Sequence, residues 1–183
     1  PRRGSLGAAL MARLVAAITD PVESALVVTA RIRVIYADTD RMGVVYHGTY
    51  LRYLEHARVE FIRSLSFAYA DMERLGYGLP VTDIALTYLA PAKYDDIVSV
   101  HVALTKLTVA RVHFAYRLTI EPGDRHLAES TPPGREFASP AAIELIRAES
   151  RHGCVSLEDG GATRLPDHIH DFLATALVRQ ASP

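Results

Sequence analysis

Apolar and polar positions alternate with a period of two over much of this chain, and the period changes once to that of a helix. In residues 26–38, Ile32 and Val34 alternate with Arg31 and Arg33, while Ile35 blurs the polar side. That pattern predicts a strand with one buried face. From Gly48 to about Leu65, Tyr50, Leu54, Ala57 and Phe61 fall on one stripe, flanked by Leu51, Ile62 and Leu65. Arg52, His56, Glu60 and Arg63 take the other faces, so this stretch predicts an amphipathic helix. A short second helix is expected over 70–75, ended by Gly76 and Gly78. Strand periods follow. Ile84, Leu86 and Tyr88 share a face before Ala90-Pro91 ends the run. Val98, Val100, Val102 and Leu104 share the next. Ala110, Val112, Phe114, Tyr116, Leu118 and Ile120 then alternate with Arg111, His113, Arg117 and Thr119. The last two runs are close enough to pair as an antiparallel hairpin, and a final strand is expected over 143–157. One strand, one long helix and four further strands predict an α+β layered arrangement.

Two segments interrupt this plan. Residues 121–142 carry Pro122, Gly123, Pro132, Pro133, Gly134 and Pro140, and a loop this long is either functional or disordered. Residues 1–25 read as an N-terminal extension, helical or disordered. Arg2-Arg3 before Leu6–Ile18 imitates a secretory signal, but Arg13 interrupts the apolar run, which is too short for a membrane span. Leu10, Leu14, Ala17 and Ile18 instead have helical spacing. Residues 167–183 are expected to form a C-terminal tail.

A chain of 183 residues suits one domain. Its 49% hydrophobic and 22% charged residues are those of an ordinary soluble globular protein. The net charge of −1 gives no global attraction to nucleic acid, so none is expected as a partner. Cys154 is the only cysteine, which precludes an intramolecular disulfide or a cysteine metal cluster and fits a reducing cytoplasm.

The chemistry concentrates in residues 36–60, Tyr36-Ala37-Asp38-Thr39-Asp40-Arg41-Met42-Gly43-Val44-Val45-Tyr46-His47-Gly48-Thr49-Tyr50-Leu51-Arg52-Tyr53-Leu54-Glu55-His56-Ala57-Arg58-Val59-Glu60. A strand ends in two aspartates, turns at a glycine and enters an aromatic-rich helix. A carboxylate is thereby held near a helix N-terminus, whose free N–H groups can stabilise an oxyanion. Asp40 is the candidate base or nucleophile; its bland alternative is an Asx turn or helix cap leading into Gly43. Asp38 reads as a structural brace of the turn.

The run D-T-D-x-x-G-V-V-Y-H-G-x-Y-L-x-Y-x-E-x-A-R, from Asp38 to Arg58, resembles the hotdog-fold acyl-CoA thioesterases of the 4-hydroxybenzoyl-CoA thioesterase-like, YbgC-type branch. The resemblance extends through the strands to Ile120, resumes near Ile143 and fades after Pro166. It implies a hotdog domain over 26–166: a curved antiparallel sheet of about five strands wrapped around the central helix, with the insertion at 121–142. In the last strand, Arg151-His152-Gly153-Cys154-Val155 continues the family pattern. This sets the register there, although His126–Ser130 echoes Ile146–Ser150.

The resemblance implies a cofactor-independent acyl-CoA thioesterase in which coenzyme A is part of the substrate. Asp40 would be the nucleophile or general base. His47 would orient the thioester or assist proton transfer, or else cap the helix. The backbone N–H groups of Tyr46, His47 and Gly48 would be the oxyanion donors. Glu55 and Tyr50 are candidates for the acyl pocket, Tyr50 being also a core or dimer-contact residue. Arg58, Lys93, Lys106 and Arg111 are candidates for coenzyme A phosphates, against a default of solvated surface charge. A homodimer pairing into a tetramer is implied, because related enzymes build the site between subunits. Alternative readings are a thioesterase acting on acyl carrier protein and an acyl-CoA-binding sensor without turnover. No metal is expected: His168-Ile169-His170 with Asp167 and Asp171 reads as an exposed turn or helix. No G-x-S-x-G elbow, P-loop or H-E-x-x-H is present.

Overall fold

The computed structural model describes residues 25–125 and 141–181. The expected N-terminal extension and most of the 121–142 insertion lie outside the described residues. The strands are β1 (Val27–Arg33), β2 (Tyr77–Gly78), β3 (Val81–Tyr88), β4 (Ile97–Leu107), β5 (Arg111–Ile120), β6 (Ile143–Gly153) and β7 (Val155–Ser156). The helices are α1 (Thr49–Ser64), α2 (Tyr69–Arg74) and α3 (Asp167–Ala181). Five strands form one antiparallel sheet in the order β1-β4-β5-β6-β3, and β2 pairs with β7 separately.

The alternation read from the sequence becomes the core face of this sheet. Val100, Val102 and Leu104 of β4 lie opposite Leu118, Tyr116 and Phe114 of β5, which in turn face Ile146, Ala148 and Ser150 of β6. The apolar members are fully buried. Against them α1 lays Tyr50, Tyr53, Leu54, Ala57 and Phe61, all buried, and Phe61 meets Phe114 edge-on at 6.0 Å. Fully burying a side chain of this kind is worth about 1.5–3 kcal/mol, so the stripe rather than helix propensity holds α1 in place.

Two features depart from the expected plan. The final strand does not run unbroken to 157: it ends at Gly153, and Val155–Ser156 pairs with β2 instead. Residues 167–181 are a helix rather than a tail. Ile169, Leu173 and Ala176 recur at spacings of four and three, are buried, and bring α3 against β4. Phe172 of α3 also meets Phe67, with ring centroids 5.5 Å apart.

One irregularity positions the site. Between β5 and β6 the register shifts, so that Leu118 faces Ile146 but Thr119 faces Glu144. Leu145 is left as the extra residue of a bulge. Its carbonyl is free of the β5 ladder and accepts the N–H groups of Leu89 and Ala90, at 2.8 and 3.3 Å. This ties the exit of β3 toward the start of α1.

Candidate active site

Asp38 organises the segment before α1. It is 2% exposed. Its carboxylate accepts the Ile35 N–H at 3.1 Å, the Tyr53 O–H at 2.8 Å and an Arg52 N–H at 3.0 Å. Its carbonyl accepts the Tyr46 N–H at 2.9 Å and the Thr49 O–H at 3.2 Å. Burial, and then the carboxylate of Asp38, push the Tyr53 hydroxyl well above its ordinary pKa, so it stays a neutral donor. Asp38 thus braces the turn, as the sequence suggested.

Asp40 sits in the tight loop that follows. Thr39 bridges to Val45, the Asp40 N–H donates to Val44 at 2.9 Å, and Gly43 takes the turn with φ of 74°. That conformation favours glycine because a Cβ would be strained there. One carboxylate oxygen, Oδ1, accepts the Met42 N–H at 2.8 Å, an Asx turn. Oδ2 makes no hydrogen bond among the described residues, and the side chain is half-buried. The Asx turn fixes the carboxylate and leaves one of its oxygens without a partner among the described residues.

The start of α1 narrows the expected oxyanion donors. The Tyr46 N–H is engaged by Asp38, so it is withdrawn from that set. The amides of His47 and Gly48 have no hydrogen-bond partner among the described residues and precede the first helical residue, Thr49. A Cβ at Gly48 would come within 2.8 Å of the Tyr46 ring, which is exposed and would have to swing aside.

His47 is exposed and tilts against the Tyr46 ring at 4.1 Å. The Tyr88 hydroxyl of β3 donates to the His47 carbonyl at 3.1 Å. His47, Val44, Val45, Tyr50, Tyr88, Leu89, Ala90 and Pro91 line a hollow of about 270 Å³. Tyr50 is 2% exposed and accepts the Ala92 N–H on its hydroxyl at 3.2 Å. Burial, chiefly, raises its pKa. Asp40 does not line this hollow; it adjoins it through Val44. His47 and Tyr50 are brought together, and Asp40 stands beside them.

Glu55 and Arg58 lie elsewhere, on a second cavity of about 580 Å³ between α1, β3 and β6. Arg58 is no surface charge: it is 7% exposed, which places it away from where a solvated coenzyme A phosphate would bind. Lys93, Lys106 and Arg111 are exposed, in keeping with the default reading for them. The same cavity is lined by Tyr116, Ser150 and His152, which the sequence reading passed over. A signal existed, since Ser150 and His152 continue the buried, even-numbered face of β6 where apolar residues are the norm. Among the described residues no group of three His, Cys, Asp or Glu side chains is placed to hold a metal, and no helix is long and apolar enough to cross a membrane. Cys154 is buried, and burial pushes its thiol pKa up.

Known proteins resemble this chain in sequence and in fold. YneP of Bacillus subtilis is 33% identical over 127 residues, covering 69% of this chain and 78% of that one. The acyl-CoA thioesterase YbgC of Haemophilus influenzae is 38% identical over 88 residues, covering 48% of this chain and 65% of its own. The crystal structure of DHNA-CoA thioesterase from Staphylococcus aureus superposes with a TM-score of 0.67 at 28% identity, over 84% of this chain and 94% of that one. The profile of the thioesterase-like superfamily matches residues 34–173, the span that holds the Asp40 loop, α1 and four of the five strands of the main sheet, and the chain belongs to that superfamily.

Proposed function

We propose that this protein hydrolyses an acyl-CoA thioester to a free carboxylic acid and coenzyme A. The observation that carries this reading is the pairing, at one helix start, of two unengaged amides with a carboxylate that keeps one oxygen free. The thioester oxygen is received by the N–H groups of His47 and Gly48, where negative charge develops and the helix dipole favours it. Asp40 either adds to the carbonyl carbon, expelling the coenzyme A thiolate and leaving a mixed anhydride for water to open, or removes a proton from the attacking water. His47, at the same helix start, protonates the departing thiolate on this reading. The names of the relatives favour coenzyme A over acyl carrier protein as the thiol half.

A homodimer, with tetramers built from it, completes the site on this reading. Asp40 adjoins the His47 hollow without lining it, and β3 at the sheet edge exposes Val81, Ile84 and Tyr88. The mechanism is tested by thiol release from a panel of acyl-CoA thioesters. Asp40→Asn is expected to lower kcat on the order of 10²–10⁴-fold with the fold intact. Undiminished turnover would remove Asp40 from its role, and tight acyl-CoA binding without thiol release by the wild type would instead mark a sensor.

A further inference from the structure

The cavity between α1, β3 and β6 has a floor built of polar groups, and their hydrogen bonds run in one direction. The Leu79 carbonyl can only accept, so at 3.0 Å it takes a proton from His152 Nδ1. His152 Nε2 is then an acceptor, and Ser150, 2.8 Å away, donates to it. Ser150 in turn accepts the Tyr116 hydroxyl proton, also at 2.8 Å. His152 remains neutral: burial first, then the nearby Arg58 charge, lower its pKa to about 4. The hydroxyl protons of Tyr116 and Ser150 and the ring proton of His152 are therefore spent on one another and on the Leu79 carbonyl.

Arg58 is the exception. It lines the cavity, is 93% buried by virtue of its 7% exposure, and leaves Nη1 wholly buried with no hydrogen-bond partner. Its guanidinium lies 5.5 Å from the Tyr69 ring centroid, and no carboxylate among the described residues forms an ion pair with it. Glu55 and Glu73 also line the cavity, but both are exposed. A buried, unpaired cation with a free N–H is costly unless something satisfies it. A carboxylate does so best, because its two oxygens match the planar guanidinium fork.

We propose that this cavity receives the far end of the acyl group, and that this end carries a carboxylate bound by Arg58. The inference rests on the thioesterase reading and adds the substrate class: thioesters of dicarboxylic acids. Arg58 stands ten residues beyond Gly48, or about 15 Å along the helix. Its side chain points back toward the helix N-terminus. A chain of intermediate length can therefore span the two sites, whereas an acetyl-sized group cannot.

The test compares matched thioesters: adipoyl- with hexanoyl-CoA, suberoyl- with octanoyl-CoA and sebacoyl- with decanoyl-CoA. The wild type is expected to favour the dicarboxylic member, in kcat/KM, on the order of tenfold or more for at least one pair. Arg58→Met is expected to reverse that preference, and Arg58→Lys to keep part of it. Equal or poorer turnover of the dicarboxylic member in every pair overturns the proposal, as does an unchanged ratio in Arg58→Met. The wild-type comparison decides even where a variant fails to fold. Absence of thiol release from all six thioesters would sink the thioesterase reading instead. Calorimetry with free suberate and octanoate then judges the cavity alone: suberate binding that Arg58→Met abolishes supports it, and no suberate binding overturns it.

Discussion

A single buried carboxylate, Asp38, fixes the start of α1 through both its side chain and its carbonyl. Its side chain gathers Ile35, Arg52 and Tyr53, while its carbonyl holds Tyr46 and Thr49. The Arg52 contact adds little, because Arg52 is 65% exposed and water screens it. The Tyr53 hydroxyl bond is fully buried and is the one that matters. Tyr53→Phe leaves the ring packed and the carboxylate short of a donor. We expect a loss of about 1–3 kcal/mol, read as a lower denaturant midpoint at unchanged m value. An unchanged midpoint would show that Asp38 draws its support from elsewhere.

At the scale of elements, β3 carries the clearest consequence. It pairs with β6 on one side only, and Val81, Ile84, Tyr88 and the adjoining Leu89 are 37–52% exposed. An apolar open edge of this kind calls for a covering strand. Two-fold pairing of β3 with its copy would set Ala85, exposed near the strand's middle, close to its own symmetry mate. Light scattering at micromolar protein should therefore give at least twice the chain mass, and Ala85→Glu, which brings two like charges together, should return it to the monomer. A monomeric wild type would defeat this pairing. The elements themselves were legible beforehand wherever one face is buried: the Tyr50–Phe61 stripe and the β4 and β5 alternations became α1 and the sheet. What escaped was set by partners distant in sequence. The break after Gly153 depends on β2 capturing Val155–Ser156, and no local signal near residue 154 reports that. The Ile169, Leu173 and Ala176 spacing was visible, but only the opposing surface of β4 shows that it is buried. In the site, Asp40 and His47 stood out by type and position. The unavailability of the Tyr46 amide could not, because it follows from the Asp38 carbonyl folding over it.

Across the whole molecule, the polar floor of the α1–β6 cavity links function to acid stability. The His152 ring is 1% exposed and sits among Tyr116, Ser150, Leu79 and Arg58. Its folded pKa of about 4 lies below the value of about 6.5 expected in the unfolded chain. Between those values the unfolded ring binds a proton that the folded ring refuses. The unfolded state therefore gains, and stability falls as pH drops from about 6.5 toward 4; above 6.5 the contribution is fully present. Its full size is on the order of 3 kcal/mol. His101 and His113, also lowered mainly by burial, act in the same direction. The His152 share is isolated by difference. His152→Gln cannot titrate, so its Tm should change less between pH 7 and pH 4.5 than that of the wild type, whatever its absolute stability. Parallel Tm profiles for the two proteins would mean that the folded ring takes up its proton as readily as the unfolded one, and that burial does not keep it neutral.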